Sequence, residues 1–189
     1  MLTPSNVTAL ILAGGKSRRF GSDKALADVG GLSFVERVFM ALEPLASRVL
    51  IATGPTPRPY PVRAEVVTDP VPDGGPLAGL AAGLAEAQTP WLLAAAVDMP
   101  HLTPEALAPL LAAASGDADA FIAQEPGDRM QPVCGLWRVE AVAPVVEEQI
   151  ARGDLAMFAL LDRLTVHGVA LDAGAMRNVN LPPASELEP

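Results

Sequence analysis

Two near-continuous apolar runs leave this chain few architectures: Val7-Thr8-Ala9-Leu10-Ile11-Leu12-Ala13 and Trp91-Leu92-Leu93-Ala94-Ala95-Ala96-Val97. Neither alternates polar with apolar, so neither keeps a face for water. Such runs are strands buried on both sides, the condition of a parallel sheet covered by helices. The first ends at Gly14-Gly15 and the second at Asp98. Residues 48–53 and 65–68 read as further strands. Between the strands lie helical patterns. Over 33–45, Ser33 and Glu36 form a capping box, and Phe34, Val38, Leu42 and Leu45 recur at helical spacing. Pro76 opens an Ala/Leu-rich helix to about 88, and Thr103-Pro104-Glu105 caps another to about 114. Residues 119–124 and 131–138 read as strands that the Gly127-Asp128 turn lets pair antiparallel. Helices near 140–151 and 154–162 and a strand near 164–171 follow. Strands alternating with helices predict an α/β fold, a three-layer α/β/α sandwich on a mainly parallel sheet. At 189 residues, with no dividing linker or internal repeat, the chain fits a single domain, 1–189.

Composition narrows the function. The longest apolar run, seven residues, is far short of the ~20 a membrane span needs. The first residues carry no basic charge ahead of their apolar stretch, so no secretory signal is expected. One cysteine, Cys134, permits no internal disulfide, and two histidines, His101 and His167, are too few for a zinc cage. These features predict a cytoplasmic protein. A net charge of −9 argues against nucleic acid as partner. Yet Lys16, Arg18, Arg19 and Lys24 fall within nine positions against one acid, Asp23, so that stretch carries +3 and the rest of the chain −12. A small basic hotspot on an acidic protein predicts a small anionic ligand.

The hotspot follows the first strand, in Leu12-Ala13-Gly14-Gly15-Lys16-Ser17-Arg18-Arg19-Phe20-Gly21-Ser22-Asp23-Lys24. Glycines let backbone N–H groups approach phosphates, and the cations balance charge on a departing pyrophosphate. A Walker loop would need glycine at Leu10, and Gly14, Gly15 and Gly21 do not make a dinucleotide fingerprint. Asp98, at the carboxyl end of an apolar strand, is placed to hold Mg²⁺, which binds one or two carboxylates plus substrate phosphates. Gly74-Gly75-Pro76-Leu77-Ala78-Gly79 combines a tight turn with a helix start. Asn178 and Asn180 alternate, so an extended backbone points both the same way.

This series resembles the nucleotidyltransferases of glycosyltransferase-A-like fold, and within them the molybdenum cofactor guanylyltransferase (MobA) family. The resemblance runs from the L-A-G-G-x-S-R-R-F-G-x-D-K segment through Asp69, Gly75-Pro76-Leu77-Ala78-Gly79, Asp98-Met99-Pro100 and Gln131-Pro132 to Asn178-Val179-Asn180. It implies transfer of GMP from Mg-GTP to the terminal phosphate of molybdopterin, with Mn²⁺ as a substitute ion, and partners among other cofactor-maturation proteins. Arg19, Lys24 and Asp98 would be catalytic, with Asp98 the metal ligand. Leu12, Ala13, Gly14, Gly15, Lys24, Thr53, Asp69, Gly75, Pro76, Leu77, Gly79 and Asp98 would bind GTP. Thr53 stands near the end of the second strand, where the family has an asparagine or similar polar residue. Gln131, Asn178 and Asn180 would contact the pterin, with Leu181 next where a threonine is common. Three alternatives stay open: a cytidylyltransferase for the same pterin, which usually carries L-A-A-G; a sugar-phosphate nucleotidyltransferase, usually a longer chain; and a non-catalytic nucleotide-binding maturation partner.

Overall fold

The structure, a computed structural model, describes residues 2–14, 24–69, 71, 73–114 and 116–179. In chain order the elements are β1 (Val7–Leu12), a β2–β3 hairpin (Asp28–Val29 and Leu32–Ser33), α1 (Phe34–Leu42), β4 (Arg48–Ala52), β5 (Glu65–Val67), α2 (Gly75–Glu86), β6 (Trp91–Ala96), α3 (Pro104–Ala113), β7 (Ala120–Glu125), β8 (Arg129–Arg138), α4 (Val139–Ala151), α5 (Met157–Leu161) and β9 (Val166–Ala170). Seven strands form one sheet in the order β5-β4-β1-β6-β8-β7-β9. All neighbours are parallel except β8, which runs antiparallel to both β6 and β7.

The two apolar runs occupy the middle of this sheet side by side, and every residue of β1 and β6 is buried. Successive side chains point to opposite faces of a strand, so each run feeds two cores. Val7, Ala9, Ile11, Trp91, Leu93 and Ala95 pack on one face with Phe34, Val38 and Leu42 of α1 and Leu107 and Leu110 of α3. Leu10, Leu12, Leu92 and Ala94 pack on the other with Leu77, Leu80 and Leu84 of α2, Val142 and Val146 of α4, and Leu160 of α5. The expected three layers are present. Thr8, the polar member of the first run, is fully buried. Its hydroxyl is satisfied by the Thr89 hydroxyl at 2.8 Å, which in turn reaches the Trp91 carbonyl at 2.9 Å.

Local signals account for most boundaries. The Ser33 N–H donates to Glu36 Oε2 at 2.8 Å, completing the capping box of α1. Thr103 Oγ1 accepts the Ala106 N–H at 3.2 Å at the start of α3. The helix expected over 33–45 is α-helical only to Leu42, because Pro44 turns Glu43–Leu45 into a 3₁₀ turn. The β2–β3 hairpin was not expected from the sequence. Its signal is Gly30-Gly31, both at positive φ, the two-residue turn that suits a hairpin. Among the described residues no helix is long and apolar enough to cross a membrane.

Helix α2 comes very close to β1 because Gly79 and Gly83 stand on its inner face among Leu77, Leu80 and Leu84. A Cβ on Gly79 would come within 2.9 Å of the Leu12 side chain, and one on Gly83 within 2.4 Å of Leu10. Gly83→Ala sets two effects against each other. Helix propensity favours alanine by about 0.5–1 kcal/mol, and overpacking a fixed core costs about 1–3 kcal/mol. Since Leu10 is fully buried, the overpacking should win. We expect a net loss of about 1–2 kcal/mol, read as a fall of roughly 2–8 °C in melting temperature. An unchanged melting point would mean that Leu10 has room to move.

Candidate active site

The register of the central strands decides where the chain emerges. Leu12 is paired with Ala52 on one side and Ala96 on the other. The ladder runs one residue further on each strand, through Ala13 N–H to Ala52 O (2.9 Å), Thr53 N–H to Val67 O (3.2 Å) and Val97 N–H to Leu12 O (3.1 Å). Gly14, Gly54, Asp69 and Asp98 therefore leave the same carboxyl edge together. Because β8 is antiparallel, its start, carrying Gln131, lies on that edge too. Open α/β sheets place ligands there.

At this edge Lys24 Nζ lies 3.3 Å from Asp98 Oδ2, with side chains 15% and 27% exposed. Lys24 begins a 3₁₀ turn, Lys24–Leu26, anchored by Ala25 in the first core. Asp98 is held from its other side: the Val179 N–H donates to the Asp98 carbonyl at 2.9 Å. This brings Asn178, eighty positions away in sequence, beside the same strand end. Its Oδ1 is buried with no hydrogen-bond partner among the described residues. Among the described residues no three acidic, histidine or cysteine side chains cluster as a metal cage. Asp98, a partly exposed carboxylate outside any such cage, fits Mg²⁺ shared with substrate phosphates.

A second group of residues surrounds Asp69. A Cβ on Gly14 would meet Asp69 Oδ2 at 2.7 Å and the Gly54 nitrogen at 3.0 Å, so only glycine lets the two strand ends approach this closely. A Cβ on Gly79 would lie 3.7 Å from Asp69 Oδ1, which is buried and unpartnered among the described residues. Burial pushes the Asp69 carboxyl above its ordinary range, and a bond from the Gly54 amide offsets part of that rise. The start of α2 adds donors. Its first intrahelical bond is Ala78 N–H to Gly74 O at 3.4 Å, so the amides of Gly75 and Leu77 precede the ladder. Gly75 takes φ 63°, a conformation glycine adopts without strain.

Not every expected residue presents its side chain. Leu12 and Leu77 are buried in the second core, leaving only their backbone for a ligand. Thr53 is 2% exposed and its hydroxyl donates to the Thr56 carbonyl at 3.1 Å, which holds the connector after β4. Pro76 is exposed at the start of α2. Gln131 donates to Glu125 Oε1 at 2.6 Å across the β7–β8 hairpin. His101 is exposed, and His167 packs edge-on against Phe121 with ring centroids 5.8 Å apart. Gly15, Arg19 and Asn180, with Lys16, Arg18 and Asp23 of the basic hotspot, lie outside the described residues. Gly54 escaped the sequence reading. Its φ of 84° and its bond to Asp69 place it in the site, and the signal was Gly54-Pro55 directly after an apolar strand.

Comparison with known proteins identifies the family. Residues 9–167 match the MobA-like NTP transferase domain. The molybdenum cofactor guanylyltransferase of Vibrio cholerae is 34% identical over 85% of this chain and 79% of its own. That of Ralstonia nicotianae is 36% identical over 95% and 94%. Among solved structures, molybdopterin-guanine dinucleotide biosynthesis protein A from Archaeoglobus fulgidus superposes with a TM-score of 0.73, covering 93% of each chain at 24% identity. At that identity the likeness shows the fold.

The Asp69 surroundings generate a pH prediction. A carboxyl with a raised folded-state pKa binds its proton more tightly when folded, so stability falls as pH rises from the ordinary carboxylate value through the folded one. Above that window the charged Asp69 is a net burden on the fold. Asp69→Asn should therefore raise the melting temperature of the ligand-free protein at neutral pH, and the advantage should shrink as the pH falls through the window. A variant less stable than the parent at neutral pH would mean that the carboxylate is a structural acceptor.

Proposed function

The chain belongs to the MobA-like NTP transferase domain family, a family of nucleotidyltransferases, and we propose that it transfers GMP from Mg-GTP to the terminal phosphate of molybdopterin. The observation that carries this reading is the Lys24–Asp98 pair, 3.3 Å apart, at the carboxyl edge where the chain also leaves β1 through Gly14. Guanylyl transfer to the molybdenum cofactor is supported by relatives named molybdenum cofactor guanylyltransferase that match 85% and 95% of the chain. Cytoplasm is the proposed setting. The one cysteine, Cys134, is fully buried and its thiol is pushed up to about 12 by burial, so it is no nucleophile at neutral pH.

The reaction requires no protein nucleophile. The acceptor phosphate is mostly dianionic at neutral pH, its second pKa being about 6. One of its oxygens bonds to the α-phosphorus of GTP as the α–β bridging bond breaks, and the electron pair leaves on pyrophosphate. Asp98 would hold the divalent ion, Mg²⁺ or Mn²⁺, which when bound supplies charge neutralisation along the phosphates. Lys24 and the amides of Gly14 and Gly15 hold the α- and β-phosphates, and Arg19 balances charge on the leaving group. Asp69, with a buried acceptor oxygen, takes an N–H or O–H of the guanosine, and the Gly75–Gly79 turn lies against it. Asn178 is one residue from the backbone link to Asp98, which suits a role in bringing the acceptor phosphate to the α-phosphorus. Gln131 and Asn180 complete the pterin side.

A thermal-shift panel tests the nucleotide. Mg-GTP should stabilise the protein by about 2.7 kcal/mol at a hundredfold over its Kd, and by more than Mg-CTP, Mg-UTP or Mg-ATP at the same concentration. A larger shift with CTP would move the assignment to cytidylyl transfer. Asp98→Asn tests the chemistry. It should cost about 1 kcal/mol of stability through the weakened Lys24 pair and lower pterin-dependent pyrophosphate release on the order of a hundredfold or more, because a lost ion is worth several kcal/mol. A folded variant with near-parental turnover would remove Asp98 from the mechanism.

A further inference from the structure

Lys24 and Asp98 form a direct ion pair at the carboxyl edge, and that contact has a consequence for how the site loads. A carboxylate meant for a divalent ion is here already neutralised by an ammonium 3.3 Å away. Among the described residues no group of three or more acidic, histidine or cysteine side chains gathers there, and a dication arriving alone at Asp98 would meet a carboxylate already paired with a cation. A triphosphate reverses the balance. It brings several negative charges and offers the ammonium better partners than one carboxylate. The build of the segment allows the exchange: Ala25 is 1% exposed in the core and the Ala27 N–H bonds the Lys24 carbonyl at 3.1 Å, so the backbone is fixed. The four-carbon stem beyond it has the rotatable bonds that let the ammonium change partners.

We propose that Lys24 acts as an electrostatic stopper on Asp98, keeping the carboxylate closed to a lone divalent cation and releasing it when a nucleotide triphosphate draws the ammonium away. The proposal rests on Asp98 as the metal ligand. It makes the substrate the metal–nucleotide complex, with no loading of the empty protein by free ion. Lys24 is then a positioning residue for the metal site as well as a phosphate contact.

The test is Mn²⁺ binding, followed by the loss of the free-ion electron paramagnetic resonance signal, without pterin or turnover. Without nucleotide, Lys24→Met should bind Mn²⁺ at least about tenfold more tightly than the parent protein, and the gain should vanish in the Lys24→Met/Asp98→Asn double variant. With a non-hydrolysable GTP analogue the parent protein should retain Mn²⁺, and Asp98→Asn should retain less. Lys24→Gln serves the same comparison if the methionine variant does not fold. Equal nucleotide-free Mn²⁺ binding by parent and Lys24 variant, with Asp98→Asn still weakening the analogue-bound ion, overturns the stopper alone. Analogue-bound Mn²⁺ unaffected by Asp98→Asn overturns the metal assignment itself, and the stopper with it.

Discussion

Everything at the active edge depends on the parallel ladder of β4, β1 and β6. All of β1 and β6 is buried, so their backbone groups have no water to turn to and must pair with one another. A slip of one residue would exchange the two faces of β1, sending Ile11 toward α2 and Leu12 toward α1. The different shapes of the two helix layers forbid that. On one side α1 and α3 present large side chains, and on the other α2 presents glycines that accept Leu10 and Leu12. Register is thereby locked, and with it the alignment of Gly14, Thr53, Asp69 and Asp98 at one edge.

Packing and chemistry meet most directly at Gly14 and Gly79. The same small residues that let α2 and the strand ends close up also bring Asp69 into a niche where one of its oxygens is buried without a partner. Folding alone would gain from a neutral side chain there, since burial opposes the charged form. A carboxylate kept at a cost to stability is a mark of a site shaped for a ligand. Asp98 differs: it is partly exposed and has a cationic neighbour. The two aspartates leave strands separated by β4 and β1, and one is shaped by desolvation, the other by charge.

The segment after β9 completes the edge from an unexpected direction. Leu171, Ala175, Met176 and Val179 are buried in the first core, and a local turn is held by the Ala175 N–H on Asp172 Oδ1 at 2.9 Å. These anchors carry Asn178 back across the sheet to Asp98. A short irregular segment thus ties residues 171–179 to the end of β6.

The two buried runs, the caps at Ser33 and Thr103, the turn at Gly127-Asp128 and the three-layer order were legible in the sequence, because each rests on local chemistry or on a period that a window of a few residues contains. The MobA resemblance was legible for the same reason, being carried by short motifs in order. Four things required the tertiary structure. The side chains of Leu12, Leu77 and Thr53 turn inward, because which face of an element meets a helix depends on its neighbours in space. Gly54 joins Asp69 through a backbone bond that no motif encodes. Asn178 reaches Asp98 because a hydrophobic anchor, not sequence proximity, sets its position. Lys24 meets Asp98 because a turn after one strand and the end of another happen to face each other. The sequence by itself determined which strands are buried and which residue types stand at their ends. Only the assembled sheet decided which of those ends touch, since contact between residues dozens of positions apart is set by register and packing.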